Sequence, residues 1–284
     1  MNKIYLVFLC IIFLSCKSAP EKINNISLKY PVILVHGIVA HDRSDNYTFW
    51  GRIPSTLEAV GIRVFYGKTD AWGVYESNAE ILKNTVDAVL AETNCEKVNI
   101  IAHSKGGLDS RYFIWKYDYG DKVASLTTIS TPHRGAEIAD YLWEHPMIQT
   151  DLTIKLLEIF GVLYGDTNPD LYNIIYGLTT VNMEKFNENV IMNPNVFFQS
   201  ICTTMRNSIN DPLLSLSYRY IKSVRGDNDG TVSEYSASWG DKIIKIHGGL
   251  SHIDIIDVRM RDVSGINIPN IYVEIVKDLY EKGF

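Results

Sequence analysis

The chain is poor in several features that would each point to a class of function. Four cysteines occur in 284 residues, and two of them, Cys10 and Cys16, fall in the first sixteen positions. Only Cys95 and Cys202 are left for the body of the chain, too few for a disulfide framework. Cys95 precedes an apolar strand pattern, so both are expected as free thiols. No Cys/His cluster has metal-ligand spacing. Runs of Lys and Arg are also missing, and 27 basic against 33 acidic residues leave a net charge of -6. That balance excludes the basic footprint of a nucleic-acid binder and of a protein held to membranes by charge. No internal repeat or low-complexity block breaks the sequence. No apolar run approaches the roughly 20 residues of a membrane-spanning helix.

The longest such run, Ile4 to Ser15, follows Met-Asn-Lys3 and stops at Cys16. This is the layout of a signal peptide over residues 1–15. Phe13-Leu14-Ser15-Cys16 resembles a bacterial lipoprotein cleavage box, with a looser fit at Phe13 and Leu14. Cleavage there would make Cys16 the lipidated first residue, followed by a polar tether over 16–29 and one domain over 30–284. The expectation is an exported, membrane-anchored lipoprotein. An ordinary secretory signal with an incidental cysteine would instead give a secreted or periplasmic protein.

What is present suits a large core: 46% of residues are hydrophobic and 11% aromatic. Strand patterns at 32–36, 63–67, 97–102, 124–130, 216–222 and 242–247 alternate with helical stretches such as 76–93, 105–118 and 268–281. Alternation of this kind predicts an α/β fold, a mostly parallel sheet wrapped by helices.

The chemistry is expected where the apolar run Val98 to Ala102 meets His-Ser-Lys-Gly-Gly107. A buried strand turning directly into a helix makes a sharp elbow, and small residues two before and two after Ser104 let neighbouring backbones crowd it. Ser104 is the candidate nucleophile, with Ala102 in the place of the usual first glycine. A second apolar run, Pro31 to Val35, ends in His36-Gly37-Ile38. The main-chain N–H groups of Ile38 and Lys105 fit the two posts of an oxyanion hole, where side-chain polarity is immaterial.

Downstream, Arg225-Gly-Asp-Asn-Asp-Gly-Thr-Val232 supplies Asp229 as the candidate acid, while Asp227 is better explained as a turn residue. Gly248-Gly-Leu-Ser-His252 supplies the candidate base, His252. The order Ser, Asp, His is that of α/β-hydrolases. The other six histidines are expected in packing or solvated positions: His36 and His103 inside the motifs, His133 ahead of the acid, and His41, His145 and His247 elsewhere.

These blocks, with Val123 to Ala136 and Asn228 to Ser233, resemble the bacterial α/β-hydrolase triacylglycerol lipases of the Pseudomonas and Burkholderia type over nearly the whole chain. The resemblance implies an α/β-hydrolase fold with a helical lid insertion, here 136–182, where Leu152 to Tyr164 crowd apolar residues. It implies Ser104, Asp229 and His252 as a triad and needs no cofactor for the chemistry. It also implies a structural calcium near the histidine, with Asp211 and Asp254 as ligands, although Val258 stands where the family has a glutamine. The function expected is hydrolysis of carboxylic esters of lipids through an acyl-enzyme. A short-chain esterase, acyl-thioesterase or lipid deacylase would share the triad. An acyl-binding lipoprotein on an inactive hydrolase scaffold would not use it.

Overall fold

Val32, Ile33, Leu34 and Val35 are all fully buried, the pattern of a parallel strand covered on both faces. In the computed structural model, which describes residues 25–38, 41–44, 47–145, 162 and 166–284, they form β1 (Val32–Val35). A two-residue pair follows, β2 (Arg43–Ser44) and β3 (Tyr47–Thr48). Next come α1 (Ile53–Ala59), β4 (Val64–Tyr66), α2 (Tyr75–Thr93), β5 (Val98–His103), α3 (Lys105–Tyr117) and β6 (Val123–Ile129). Then follow α4 (Glu137–Glu144), α5 (Leu171–Gly177), α6 (Thr180–Asn189) and β7 (Phe197–Thr203). The described chain closes with α7 (Ser215–Val224), α8 (Glu234–Ala237), β8 (Lys242–Ile246) and α9 (Ile268–Glu281).

Among the described residues, six strands make one sheet in the order β4-β1-β5-β6-β7-β8. Every neighbouring pair is parallel. The period-2 alternation of strands divides the core. Val32, Leu34, Ile101, Ile129 and Ile201 face α1 and α9, against Trp50, Leu57, Tyr272 and Val276. Ile33, Val35, Ile100, Ala102, Leu126 and Phe198 face α2 and α3, against Leu82, Val86 and Phe113. Helix α9 buries Ile268, Tyr272, Ile275, Val276 and Leu279 along one stripe, and its start is capped by Asn267, which accepts from the N–H of Asn270.

One strand expectation is overturned. Residues 216–222 lie in helix α7, where Tyr218 and Ile221 are buried three apart while Leu216 points to solvent. The alternating Leu-Ser-Leu-Ser-Tyr-Arg-Tyr pattern imitates a strand, but only the Tyr218 and Ile221 row meets the core. The fifth strand of the sheet, β7, has no counterpart among the expected strands, because Gln199 and Ser200 interrupt its apolar run. Each finds a partner inside: Gln199 Nε2 donates to Thr127 Oγ1 at 2.8 Å, and Ser200 Oγ accepts from the Trp239 N–H at 3.1 Å.

Residues 1–24, which include the expected signal peptide and Cys16, lie outside the described residues, as does the apolar stretch 152–164 apart from Val162. The described parts of 136–182 are largely helical, in α4 and α5. Trp143 of α4 stands against Tyr172 and Tyr176 of α5. The return of the insertion is tied down where Asp166 accepts from the N–H groups of Ala71 and Trp72 at 2.8 and 2.7 Å. Cys95 and Cys202 are free thiols.

Candidate active site

Strand β5 ends at His103, α3 begins at Lys105, and Ser104 between them has φ 54° and ψ -131°. A non-glycine residue at positive φ is strained, and here the surroundings enforce it. The Ser104 N–H donates to Ile129 O at 2.9 Å, and Ser104 O accepts from Thr131 Oγ1 at 2.8 Å. The small residues are needed at this crossing. A Cβ on Gly106 would stand 2.2 Å from His36 O, and one on Gly37 would stand 2.8 Å from Ser104 Cβ.

Three side chains from distant parts of the sequence meet at the elbow. Ser104 Oγ lies 3.0 Å from His252 Nε2, and His252 Nδ1 lies 2.8 Å from Asp229 Oδ2. All three are buried. The second oxygen of Asp229 accepts from the N–H groups of Thr231 and Val232 at 2.9 and 2.8 Å, which fixes the carboxylate plane. The His252 N–H donates to Asp229 O at 2.8 Å, so the candidate acid and base are joined through the main chain as well. Asp227 is apart from this chain, paired with Lys222 at the surface.

Lys105 is the first residue of α3, so its N–H has no intrahelical acceptor and sits at the positive end of the helix. Its side chain runs the other way, buried, with Nζ 2.7 Å from Asp109 Oδ2. Gly37 presses on Ser104 from the end of β1, which brings the turn carrying Ile38 beside the candidate nucleophile.

His103 has a role the sequence did not disclose. Its Nε2 lies 3.1 Å from His252 O, and the two rings are 4.5 Å apart. Burial, reinforced by repulsion from His252 and His36, pushes its pKa well below 6.5. His133 is fully buried, stacked on Trp239, with its ring nitrogens 3.1 Å from Arg111 Nη1 and 2.9 Å from Thr128 Oγ1. His41 faces Asp166 at 2.7 Å, and its pKa is raised by that contact against the opposing effect of burial.

Asp211 and Asp254 are brought together near His252, but not as an open oxygen cage. Arg259 Nη1 lies 2.9 Å from Asp254 Oδ1 and 2.9 Å from Asp211 Oδ2, and Nη2 lies 3.1 Å from Asp211 Oδ1. Ser251 Oγ donates to Asp211 Oδ2 at 2.7 Å, and the Ser251 N–H donates to Asp254 Oδ2 at 3.2 Å. All four carboxylate oxygens are therefore occupied by N–H and O–H donors. Calcium needs six to eight free oxygen ligands, and the expected pair does not fit it in this arrangement. Among the described residues, no group of three or more His, Cys, Asp or Glu side chains could hold a metal ion.

A parallel sheet with a strained serine at a strand-to-helix elbow, followed in sequence by its acid and its histidine, is the plan of an α/β-hydrolase. The family profile of palmitoyl protein thioesterases matches residues 31–176. A triacylglycerol lipase of Pseudarthrobacter phenanthrenivorans is 35% identical over 57% of this chain and 54% of its own length, so this chain spans about half the length of that relative. Triacylglycerol lipase 2 of Saccharomyces cerevisiae is 31% identical over 86% of this chain and 78% of its own. In fold, the chain is similar to the crystal structure of a Staphylococcus hyicus lipase, with a TM-score of 0.70 at 20% identity, covering 93% of this chain and 98% of that one. The chain belongs to the triacylglycerol lipase family of α/β-hydrolases.

Proposed function

We propose that the protein is a serine hydrolase that cleaves carboxylic esters of lipids through an acyl-enzyme, with Ser104 as nucleophile, His252 as base and Asp229 as acid. The observation that carries this reading is the unbroken hydrogen-bond chain from Ser104 Oγ through His252 to Asp229, seated on the strained elbow. His252 with its proton on Nδ1, held by Asp229, leaves Nε2 free to accept the Ser104 proton as Oγ attacks the carbonyl carbon. The N–H groups of Ile38 and Lys105 receive the charge on the tetrahedral oxygen. His252 passes its proton to the departing alkoxide, which leaves as the alcohol. Water then attacks the acyl-enzyme, gives a proton to His252, and Ser104 recovers it as the acid departs.

Segment 136–182 acts in this reading as the lid, and Cys16 as the lipid-bearing residue that anchors an exported protein to a membrane. The thioesterase profile over 31–176 favours a second substrate class, acyl-thioesters, attacked by the same triad. The test is hydrolysis of p-nitrophenyl esters from acetate to palmitate, below and above the concentration at which they form an interface, beside palmitoyl-coenzyme A, with Ser104→Ala as control. Preference for long esters that rises at the interface supports the lipase. Faster turnover of the thioester moves the protein to the second class, and turnover that survives in folded Ser104→Ala removes Ser104 from its role.

A further inference from the structure

We infer that Arg259 is a built-in cation that positions the His252 loop, doing with a guanidinium what a bound metal ion would do between the same two carboxylates. The inference rests on His252 as the catalytic base. Asp211 and Asp254 are both buried and belong to different segments, one ahead of α7 and one two residues beyond His252. Two carboxylates brought together in a dry site repel each other unless a cation lies between them. The planar fork of Arg259 reaches both, contacting Asp254 once and both oxygens of Asp211, all within 3.1 Å.

Ser251 completes the frame. Its Oγ donates to Asp211 at 2.7 Å and accepts from the Asp254 N–H at 3.1 Å, so the residues on both sides of His252 share the clamp. A second arginine secures the far side. Arg52 donates from Nε and Nη2 to the two oxygens of Asp257 at 2.9 and 2.7 Å, tying the turn after Asp254 to the start of α1. His252 is thereby held in register with Ser104 by charges the chain itself carries. Arg259 is a positioning residue whose polar contacts are with Asp211 and Asp254, not with Ser104.

The first arm of the test uses the unmodified protein, and its melting temperature is read with no reference to activity. Dialysis against EDTA, and then millimolar calcium chloride, are expected to leave the melting temperature unchanged. A fall on EDTA that calcium reverses overturns the inference, whatever the outcome for hydrolysis. The second arm compares Arg259→Met and Arg259→Lys by p-nitrophenyl butyrate kinetics. Arg259→Met is expected to lower kcat by roughly 10- to 100-fold with KM within about twofold, because the base is misplaced and the substrate site is not. Arg259→Lys, a point charge without the fork, should recover part of that loss. Unchanged kcat and melting temperature in Arg259→Met would overturn it equally.

Discussion

His103 Nε2 lies 3.1 Å from the carbonyl oxygen of His252, so the residue that ends β5 just before Ser104 also holds the main chain of the proposed base. One side chain thus fixes the relative position of two groups 148 residues apart in sequence. Its Nδ1 has no hydrogen-bond partner among the described residues and lies 3.3 Å from where a Cβ on Gly37 would stand. His103→Phe keeps a buried ring and loses the donor. It is expected to lower kcat by roughly 10- to 100-fold with little change in KM, the cost of a displacement of about an ångström at the base. His103→Asn, which can still donate an N–H, should recover part of it. Steady-state kinetics beside melting temperatures check this, and a wild-type kcat in folded His103→Phe would remove the role.

Two buried histidines are expected to make the fold lose stability in acid. Burial is the main cause that pushes both His103 and His133 well below 6.5, with repulsion from His252 and His36 in one case and from Arg111 and Arg134 in the other. Unfolded, each takes up a proton near 6.5; folded, each resists it. Below that value the unfolded chain binds more protons, so stability is complete above about 6.5 and falls as pH drops toward the depressed native values. Each histidine contributes a slope of up to about 1.4 kcal/mol per pH unit in that window. His41, raised by its hydrogen bond to Asp166, acts in the opposite direction: its contribution is complete below 6.5 and lost as pH rises through the raised value. His133→Phe keeps the stack on Trp239 and removes one titration. Its melting temperature should therefore fall less steeply than wild type between neutral pH and 5, and parallel slopes would contradict the assignment.

The parts of this fold that could be read from the sequence are those where one local pattern decides the structure. The runs of β1 and β5 are buried on both faces, and the helical stripe over 268–281 coincides with α9. The candidates Ser104, Asp229 and His252, which meet in the structure, can be picked out for the same reason, since each stands in a glycine-bearing turn. What stayed hidden depends on partners far away in sequence. Arg259 offers no motif, and its meaning arises only when Asp211 and Asp254 meet across it. Nothing in the stretch 216–222 says which residues reach the core, so its two-residue alternation imitates a strand.

Asp229→Asn tests the tautomer argument. Oδ1 of Asp229 accepts from the N–H groups of Thr231 and Val232, so an asparagine must keep its carbonyl there and turn its amide toward His252. That amide donates to Nδ1 and forces the ring proton onto Nε2, facing Ser104. The base then cannot accept the serine proton. A loss in kcat of about 10⁴-fold is expected, the size that the same change produces in serine proteases. A loss under tenfold would mean another group orients His252.

Gly106→Ala should damage both stability and rate. Its Cβ would lie 2.2 Å from His36 O and 2.8 Å from Val35 O, two main-chain atoms that cannot rotate away. Relief requires α3 or the end of β1 to move, at a cost of about 1–3 kcal/mol. The same shift carries the His36-Gly37-Ile38 turn away from Ser104 and weakens Ile38 as one donor of the proposed oxyanion hole. Denaturant unfolding and ester kinetics on the same sample should show both losses together, and a rate at wild-type level would separate Ile38 from the oxyanion hole.

The ammonium of Lys105 lies one residue from the nucleophile yet is directed into the core. Nζ pairs with Asp109 Oδ2 at 2.7 Å, and Asn78 donates to the same oxygen at 2.9 Å. Burial pushes the Asp109 carboxyl up, opposed by Lys105 and Asn78. Removing only the cation, as in Lys105→Met, leaves a buried carboxylate without its partner and should cost about 3–5 kcal/mol. Adding Asp109→Asn removes the orphaned charge and keeps an acceptor for Asn78, so most of that loss should return. If the main-chain N–H of Lys105 is the oxyanion donor, the double variant keeps it, and kcat should stay within about tenfold of wild type, less than the roughly 10²-fold or more lost when an oxyanion donor is removed. A well-folded double variant slowed by more than about 100-fold would instead place the ammonium in the reaction and demand a different account of why it is buried against Asp109.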